Sequence, residues 1–190
     1  MGRYAPNMAS RVQHPRLTGE DFEALQAEYG WSFDAELING EAVVIPPDGS
    51  PASSAQGELH YALRRWQDSA ADGGLVLQNV FVKVDPSSRF GPDVAWWSAA
   101  RRPPLPQGQM TVIPDWVAEV LSPSTRENDL GLKRERYLAA GVRELWLVDP
   151  SAGSVLVVGA DGREQVAGER VASRVLAGFT VEVARLFAGV

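Results

Sequence analysis

The chain of 190 residues contains no cysteine, which excludes a disulfide framework and any thiolate nucleophile or thiolate metal site. No apolar run reaches the roughly 18 residues that cross a membrane, and the first residues lack the apolar segment of a secretory signal. There is no Gly-rich phosphate loop, and the only histidines are His14 and His60, which disfavours a nucleotide-binding enzyme and a serine hydrolase. We therefore expect a cytoplasmic protein with no membrane partner.

The chain has no excess of positive charge, because its 24 acidic residues outnumber its 18 Lys and Arg and give a net charge of -6. A protein that coats nucleic acid needs clustered Lys and Arg for its phosphate contacts, so the balance argues against that class. The net charge does not exclude an enzyme that acts on nucleic acid locally, which would need a local basic rim. The residues that could form this rim can equally be ordinary solvated charges. The candidates for this rim are Arg64, Arg65, Arg101, Arg102, Arg126, Lys133, Arg134 and Arg136.

The length suits one domain, predicted to cover residues 17–190 after a flexible tail at residues 1–16. Thr18 with Asp21 three positions later predicts a capping box that opens a helix through Tyr29. Asn39-Gly40 between two apolar segments predicts a β-hairpin with a type I′ turn.

The middle of the chain carries a regular order of predicted elements. Leu59, Leu63 and Trp66 recur at helical spacing in a helix that Ser53 or Ser54 would cap. Apolar runs then predict three strands, a helix capped by Ser124 or Thr125 and ended by Gly141, and a fourth strand. These elements are helix 53–69, strands 75–84, 91–97 and 115–122, helix 126–140 and strand 143–149. With a C-terminal β-meander, they predict an α/β fold in which helices flank a mixed sheet.

Two acids lie in these apolar strands. Glu119 stands between Ala118 and Val120, and Asp93 follows Pro92 at the start of its strand. A carboxylate in a dry strand is costly unless a cation neutralises it. Two carboxylates from neighbouring strands make a hard-oxygen site suited to Mg²⁺ or Mn²⁺. The alternatives are that Asp93 accepts a nearby backbone N–H and that Glu119 is a satisfied edge residue.

Lys133 lies on the flank of the apolar stripe of the next helix, from which its ammonium could reach the sheet. A lysine beside a metal site can orient water or stabilise developing charge in phosphodiester hydrolysis. The alternative is a helical ion pair with Asp129, four residues earlier. Periodicity does not distinguish Lys133 from Arg134.

The run EVLSPSTRENDLGLKRERYLAAGVRELWLVDP resembles the Uma2 (DUF820) family of bacterial proteins. The segments LTGEDFEAL, ELINGEAVV, GPDVAWW and LAGFTVEVARLF extend the resemblance to about residues 17–188. The resemblance implies the PD-(D/E)XK, restriction-endonuclease-like fold, whose core has the same order of helix, three strands, helix and strand. It also implies a nuclease site.

By this resemblance, Pro92-Asp93 takes the place of the "PD" and Glu119 that of the acid that follows. The usual lysine position, two residues later, holds Leu121, whereas Uma2-like sequences carry a lysine on the next helix, where Lys133 stands. Relatives often have Asp in place of Asn39. Many also have a histidine near the start of the helix at 53–69, where this chain has Ser54, Ala55 and Gln56. Further candidates for the site are Gln56, Glu58 and Glu41, for each of which a structural role is the alternative.

The first hypothesis is therefore a metal-dependent DNA endonuclease, with Asp93 and Glu119 holding Mg²⁺ or Mn²⁺ and Lys133 as the third catalytic residue. Because cutting two strands usually takes two sites, a homodimer is compatible with this hypothesis. The alternative is a catalytically inactive nuclease-fold module for binding or assembly. Such a module could use Trp31, Trp96 and Trp97 as an interface.

Overall fold

The computed structural model describes residues 16–30, 35–47, 49–70, 73–106 and 108–189. The predicted flexible tail lies outside these ranges except for Arg16. Within the described ranges, no helix is both long enough and apolar enough to cross a membrane.

The N-terminal helix and the hairpin form as predicted. Helix α1 (Gly19–Tyr29) begins with the full capping box, in which Thr18 and Asp21 exchange hydrogen bonds. Strands β1 (Ala35–Ile38) and β2 (Glu41–Val44) pair antiparallel around Asn39 and Gly40. Both turn residues have positive φ, 52° and 82°, as a type I′ turn requires.

The long helix begins earlier than predicted. Helix α2 spans Ser50–Ala70, and the Ser53 N–H donates an ordinary helical bond to the Gly49 carbonyl at 3.1 Å. The prediction that Ser53 or Ser54 caps this helix is therefore wrong. Pro51 lies in the first turn, where its missing N–H costs nothing.

The single strand predicted over 75–84 is also wrong, because the chain turns at Asn79, whose φ is 48°. It forms β3 (Leu75–Leu77) and β4 (Val82–Asp85), which belong to different sheets. Strand β4 pairs with β5 (Ser88–Phe90). The resulting four-stranded sheet has the order β2-β1-β5-β4.

The larger sheet has six strands and carries the predicted core. Its strands are β3, β6 (Val94–Trp97), β7 (Trp116–Val120), β8 (Glu144–Asp149), β9 (Ser154–Gly159) and β10 (Glu164–Ala167). Their order is β10-β9-β8-β7-β6-β3, with β7 and β8 parallel and the other neighbours antiparallel. The predicted mixed sheet is confirmed. The hairpin β4–β5 is inserted between the first two of the three core strands.

The helical segment between β7 and β8 covers the predicted range but is not a regular α-helix. It consists of α3 (Arg126–Asn128), a π-helical turn (Asp129–Lys133) and α4 (Arg134–Ala140), and Gly141 ends it with a φ of 107°. Thr125 occupies the N-cap position without a capping side-chain bond, and its hydroxyl contacts Ser122 instead. The predicted cap residue is therefore confirmed at Thr125, but its side chain makes no capping hydrogen bond.

A 3₁₀ turn (Ala99–Arg101) follows β6. Three short elements close the chain. Strands β11 (Arg170–Ala172) and β12 (Thr180–Glu182) pair, and helix α5 (Val183–Leu186) follows.

Apolar side chains cover both faces of the large sheet. One core packs α2, α5 and the Trp116–Trp146 pair, and the other packs Trp97 and Leu145 against the helical segment after β7. Because both faces of the sheet are buried, the sequence of β7 is apolar at nearly every position.

Candidate active site

Glu119 lies one residue before the C-terminal end of β7, a strand between two neighbours, and is only 3% exposed. Its neighbours on alternate positions, Val117 and Leu121, belong to the core that packs beneath the helical segment. Glu119 is therefore not an edge residue. Its carboxylate enters a region where a charge needs partners from the protein.

Lys133 supplies the positive partner. Its Nζ lies 2.9 Å from Glu119 Oε1, 3.1 Å from Glu36 Oε1 and 3.1 Å from Asp129 Oδ1. It also lies over the Phe90 ring, 5.7 Å from its centroid. The predicted helical pair with Asp129 thus forms together with the contact to the sheet.

Lys133 and Arg134 reach different parts of the six-stranded sheet. Lys133, the last residue of the π-helical turn, is buried against Glu119 on β7, whereas Arg134 is partly exposed and pairs with Glu164 on the edge strand β10. Gly131 within this turn has the non-helical angles φ -103° and ψ -106°. Turns of this kind are frequent at functional sites. The contact of Lys133 with Glu119 resolves the choice that periodicity left open.

Asp93 adjoins Glu119 across the β6–β7 ladder. The Asp93 N–H lies 3.4 Å from Glu119 Oε2, and Asp93 Oδ2 accepts the Val120 N–H at 2.6 Å. The alternative interpretation of Asp93 as an acceptor of a backbone N–H therefore describes one of its contacts. Asp93 is only partly buried, so the cluster reaches solvent on its side.

Glu36 is a member of the cluster that the sequence reasoning missed. It lies on β1 of the other sheet and is 4% exposed. Its Oε1 accepts the Gly91 N–H at 2.6 Å and contacts Lys133, while its Oε2 is buried with no hydrogen-bond partner among the described residues. The signal was available, since Glu36 interrupts a short apolar strand as Glu119 does.

Tyr137 was also missed as a site residue. Its hydroxyl donates to Glu119 Oε1 at 2.7 Å, and its ring packs edge-on against Phe90. Tyr137 follows Lys133 by one helical turn, so both reach the same carboxylate oxygen. Burial raises the pKa of Tyr137 well above its usual range, and the Glu119 charge raises it further. The hydroxyl therefore stays protonated and acts as a donor.

Burial dominates the electrostatics of the cluster. It raises the pKa of Glu119 well above its ordinary 4.5; Lys133 opposes this rise, while Asp129, Asp93 and Glu36 add to it. Burial alone would lower the pKa of Lys133, but the charges of Glu119, Glu36 and Asp129 raise it well above 10.5. Lys133 is thus held as an ammonium ion.

The three further candidates lie in different places. Gln56 is buried beside the cluster, where its Nε2 donates to Asn79 Oδ1 at 2.8 Å and to the Asp93 carbonyl at 3.1 Å. Glu58 instead lines a cavity of about 360 Å³ between α2 and the C-terminal elements β12 and α5. Glu41 is exposed on β2, an edge strand.

The predicted basic rim is largely neutralised. Arg101, Arg126, Arg134 and Arg136 pair with Asp115, Asp149, Glu164 and Asp85, respectively. These four therefore match the interpretation as ordinary charges. Arg64, Arg65 and Arg102 have no carboxylate partner among the described residues.

The predicted tryptophan interface is wrong for two of its three residues. Trp96 and Trp97 are buried on β6, and Trp31 lies outside the described residues. The indoles of Trp96 and Trp97 pack into the two cores instead of forming a surface.

The donor set can be compared with what a hard cation needs. Within the described ranges, no group of three or more His, Cys, Asp or Glu side chains is arranged as a metal centre. Mg²⁺, however, is commonly held by one or two carboxylates together with water and substrate phosphates. Asp93, just before β6, and Glu119 on the adjacent β7 are two such carboxylates. Glu36 Oε2, buried and without a hydrogen-bond partner among the described residues, adds negative potential nearby. The residues fit a divalent cation of this kind.

Comparisons with known proteins agree with the sequence resemblance. The family model Uma2, described as "Putative restriction endonuclease", matches residues 20–184. A solved structure from Anabaena variabilis, titled as a "putative nuclease belonging to DUF820", aligns with a TM-score of 0.78 and 20% identity. The alignment covers 91% of this chain and 98% of that chain, and it shows the shared fold. No curated protein matches the chain. With most of its length matched by the family model, the chain belongs to the Uma2 family.

Proposed function

We propose that this protein is a metal-dependent endonuclease that hydrolyses phosphodiester bonds in DNA. Asp93 and Glu119 hold Mg²⁺ or Mn²⁺, and Lys133 acts beside them. The observation that carries the proposal is the 2.9 Å contact between the buried Lys133 ammonium and Glu119, with Asp93 on the adjacent strand. The description of the family as a putative restriction endonuclease and of the structural neighbour as a putative nuclease support this class of reaction.

A bound divalent cation would polarise a phosphoryl oxygen and lower the pKa of a coordinated water. The roles of the protein residues follow from their contacts. Tyr137 and Lys133 both contact Glu119 Oε1, and the Asp93 N–H approaches Oε2, so the Glu119 carboxylate is held in one orientation. A fixed carboxylate is what a catalytic site requires, because misplacement by 1 Å costs rate.

The charge of Lys133 decides between its chemical roles. Because its pKa is raised well above 10.5, it remains protonated at neutral pH and does not accept a proton from water. Its role is therefore to orient the attacking water or to stabilise the negative charge that develops on the phosphoryl group. The only other lysine of the chain, Lys83, pairs with Glu23.

The second candidate function is a nuclease-fold module without catalysis, and one observation favours it. Lys133 is enclosed by three carboxylates, and both oxygens of Glu119 have contacts within the protein. Such a closed network can be purely structural. A homodimer is compatible with either function.

Plasmid cleavage distinguishes the two functions. We would incubate supercoiled plasmid and single-stranded DNA with the protein in Mg²⁺ or Mn²⁺, and compare Glu119→Gln with Glu135→Gln. Glu135 is an exposed acid on α4, so its substitution is a matched control. We expect the wild type and Glu135→Gln to cleave and Glu119→Gln to lose at least about 100-fold in rate, because a metal contributes several kcal/mol.

No cleavage by any of the three proteins, together with no Mn²⁺ binding, would favour the binding module. Equal cleavage by the wild type and Glu119→Gln would reject Glu119 as a metal ligand.

A further inference from the structure

Glu36 brings the second sheet into the candidate site. Strand β1 belongs to the four-stranded sheet, whereas Asp93 and Glu119 lie on or beside strands of the six-stranded sheet. The contact between Glu36 Oε1 and Lys133 Nζ joins residues 97 positions apart. Among the described residues, Glu36 is the only residue of β1 whose side chain contacts the Lys133 ammonium.

A structural role alone explains Glu36 poorly. Its side chain is buried, and Oε2 has no hydrogen-bond partner among the described residues, although buried polar atoms are nearly always satisfied. Replacing a whole buried ion pair with well-packed apolar residues is often neutral or stabilising, so the pair is weak evidence for a contribution to folding. The acid at this position is therefore better explained by its effect on Lys133.

The orientation of Glu36 is itself fixed. Its Oε1 accepts the Gly91 N–H at 2.6 Å, and Gly91 lies two residues before Asp93 in the chain. The same oxygen then contacts Lys133 at 3.1 Å. The backbone just before Asp93 thus orients the Glu36 carboxylate, and this carboxylate in turn positions the Lys133 ammonium.

The other partners of Lys133 act from different directions. Asp129 lies on the same π-helical turn, four residues earlier, and Glu119 lies on the sheet below. The Phe90 ring covers a further side. Without Glu36, the ammonium would keep Asp129, Glu119 and the Phe90 ring, but among the described residues it would lose its only carboxylate from the second sheet.

We infer that Glu36 is a positioning residue, which holds the Lys133 ammonium at a fixed place beside Glu119. The inference rests on the proposed function, because it assigns Glu36 to the reaction through Lys133. Residues that orient catalytic groups in this way typically contribute about 10- to 100-fold.

The test uses the fact that Lys83 and Lys133 are the only lysines of the chain. With ¹⁵N-labelled lysine, the protein gives two ammonium signals at most. We expect the buried Lys133 ammonium to exchange its protons slowly, whereas Lys83, whose side chain is 34% exposed, should exchange faster and provides the comparison. Exchange rates at one pH would be measured for the wild type, Glu36→Gln, Glu36→Asp and the control Glu135→Gln, and plasmid cleavage for the same four proteins.

Glu36→Gln keeps the reach of the side chain and an acceptor for Gly91 but removes the charge. We expect it to accelerate proton exchange at Lys133 at least about tenfold and to reduce cleavage by about 10- to 100-fold. Glu36→Asp keeps the charge on a shorter side chain and should recover part of both. Glu135→Gln should change neither quantity.

An unchanged Lys133 signal in folded Glu36→Gln would overturn the inference, whether or not cleavage falls. If no protein cleaves DNA but the Lys133 signal responds to Glu36, the proposed function fails while the anchoring of Lys133 by Glu36 stands.

Discussion

Two buried acids at opposite ends of one strand have contrasting surroundings. Asp115, just before β7, accepts the Ser98 N–H at 2.9 Å and contacts Arg101 at 2.8 Å and Arg143 at 3.8 Å. Glu119, four residues later, shares the single cation Lys133 with Glu36 and Asp129. At the first end two cations serve one acid, and at the second end one cation serves three acids.

The difference separates an acid that stabilises the fold from acids that the fold merely tolerates. Both arginines near Asp115 are substantially exposed, so their charges remain hydrated while the carboxylate is fully bonded. The acids around Lys133 are buried together, an arrangement that raises the pKa of Glu119 and leaves Glu36 Oε2 without a hydrogen-bond partner among the described residues. Groups perturbed in this way concentrate at functional sites.

Removing the shared cation should have the largest effect. We expect Lys133→Met to lower the free energy of unfolding by about 3–5 kcal/mol, because it leaves buried carboxylates uncompensated. Urea denaturation would measure the change. Lys83→Met is the matched control, since Lys83 and Glu23 form a partly exposed pair worth at most about 1 kcal/mol. Equal losses of unfolding free energy in Lys133→Met and Lys83→Met would contradict the conclusion that the buried acids around Lys133 depend on its charge.

Neutralising one acid at each end should give opposite results. We expect Asp115→Asn to lower the free energy of unfolding by about 1.5–3 kcal/mol, the usual value for a hydrogen bond to a charged group, without a specific loss of cleavage. Glu119→Gln should leave stability unchanged or raise it, because it relieves repulsion among buried acids, and it should abolish cleavage. A large loss of stability in Glu119→Gln would show that Glu119 is a structural acid.

The pH dependence of stability should also differ in sign between Glu119 and Asp149, an acid at the end of β8. Because burial raises the pKa of Glu119, the folded state binds its proton more tightly. Its contribution to the free energy of unfolding therefore falls as pH rises above 4.5, by at most about 1.4 kcal/mol per pH unit. For Asp149, burial is outweighed by hydrogen bonds from Ser151 and Arg126, which lower its pKa below 3.8. Its contribution is present above 3.8 and is lost as pH falls.

Denaturation between about pH 5 and pH 8 would check this prediction. The stability of the wild type relative to Glu119→Gln should decrease over that range, whereas Asp149→Asn should show no such trend. A constant difference between the wild type and Glu119→Gln would contradict the raised pKa.

Local patterns predicted most of the elements but not the points where the backbone departs from them. The capping box at Thr18, the turn at Asn39-Gly40 and the end of the helix at Gly141 depend on neighbouring residues alone, and all three are confirmed. The strand predicted over 75–84 failed because Asn79 adopts a positive φ and its two halves pair with different sheets. Pairing partners distant in sequence override a local alternating pattern.

The sequence by itself determined the family, the order of the core elements and the position of an acid, Glu119, in the central strand. These features follow from local periodicity and from motifs read along the chain. Only the tertiary structure decided that Lys133 rather than Arg134 contacts Glu119, because Lys133 is buried against Glu119 and Glu36 while Arg134 pairs with Glu164. It also added Glu36 from the other sheet, 97 residues from Lys133. Burial and like-charge crowding, which perturb these groups, arise only when distant segments pack together.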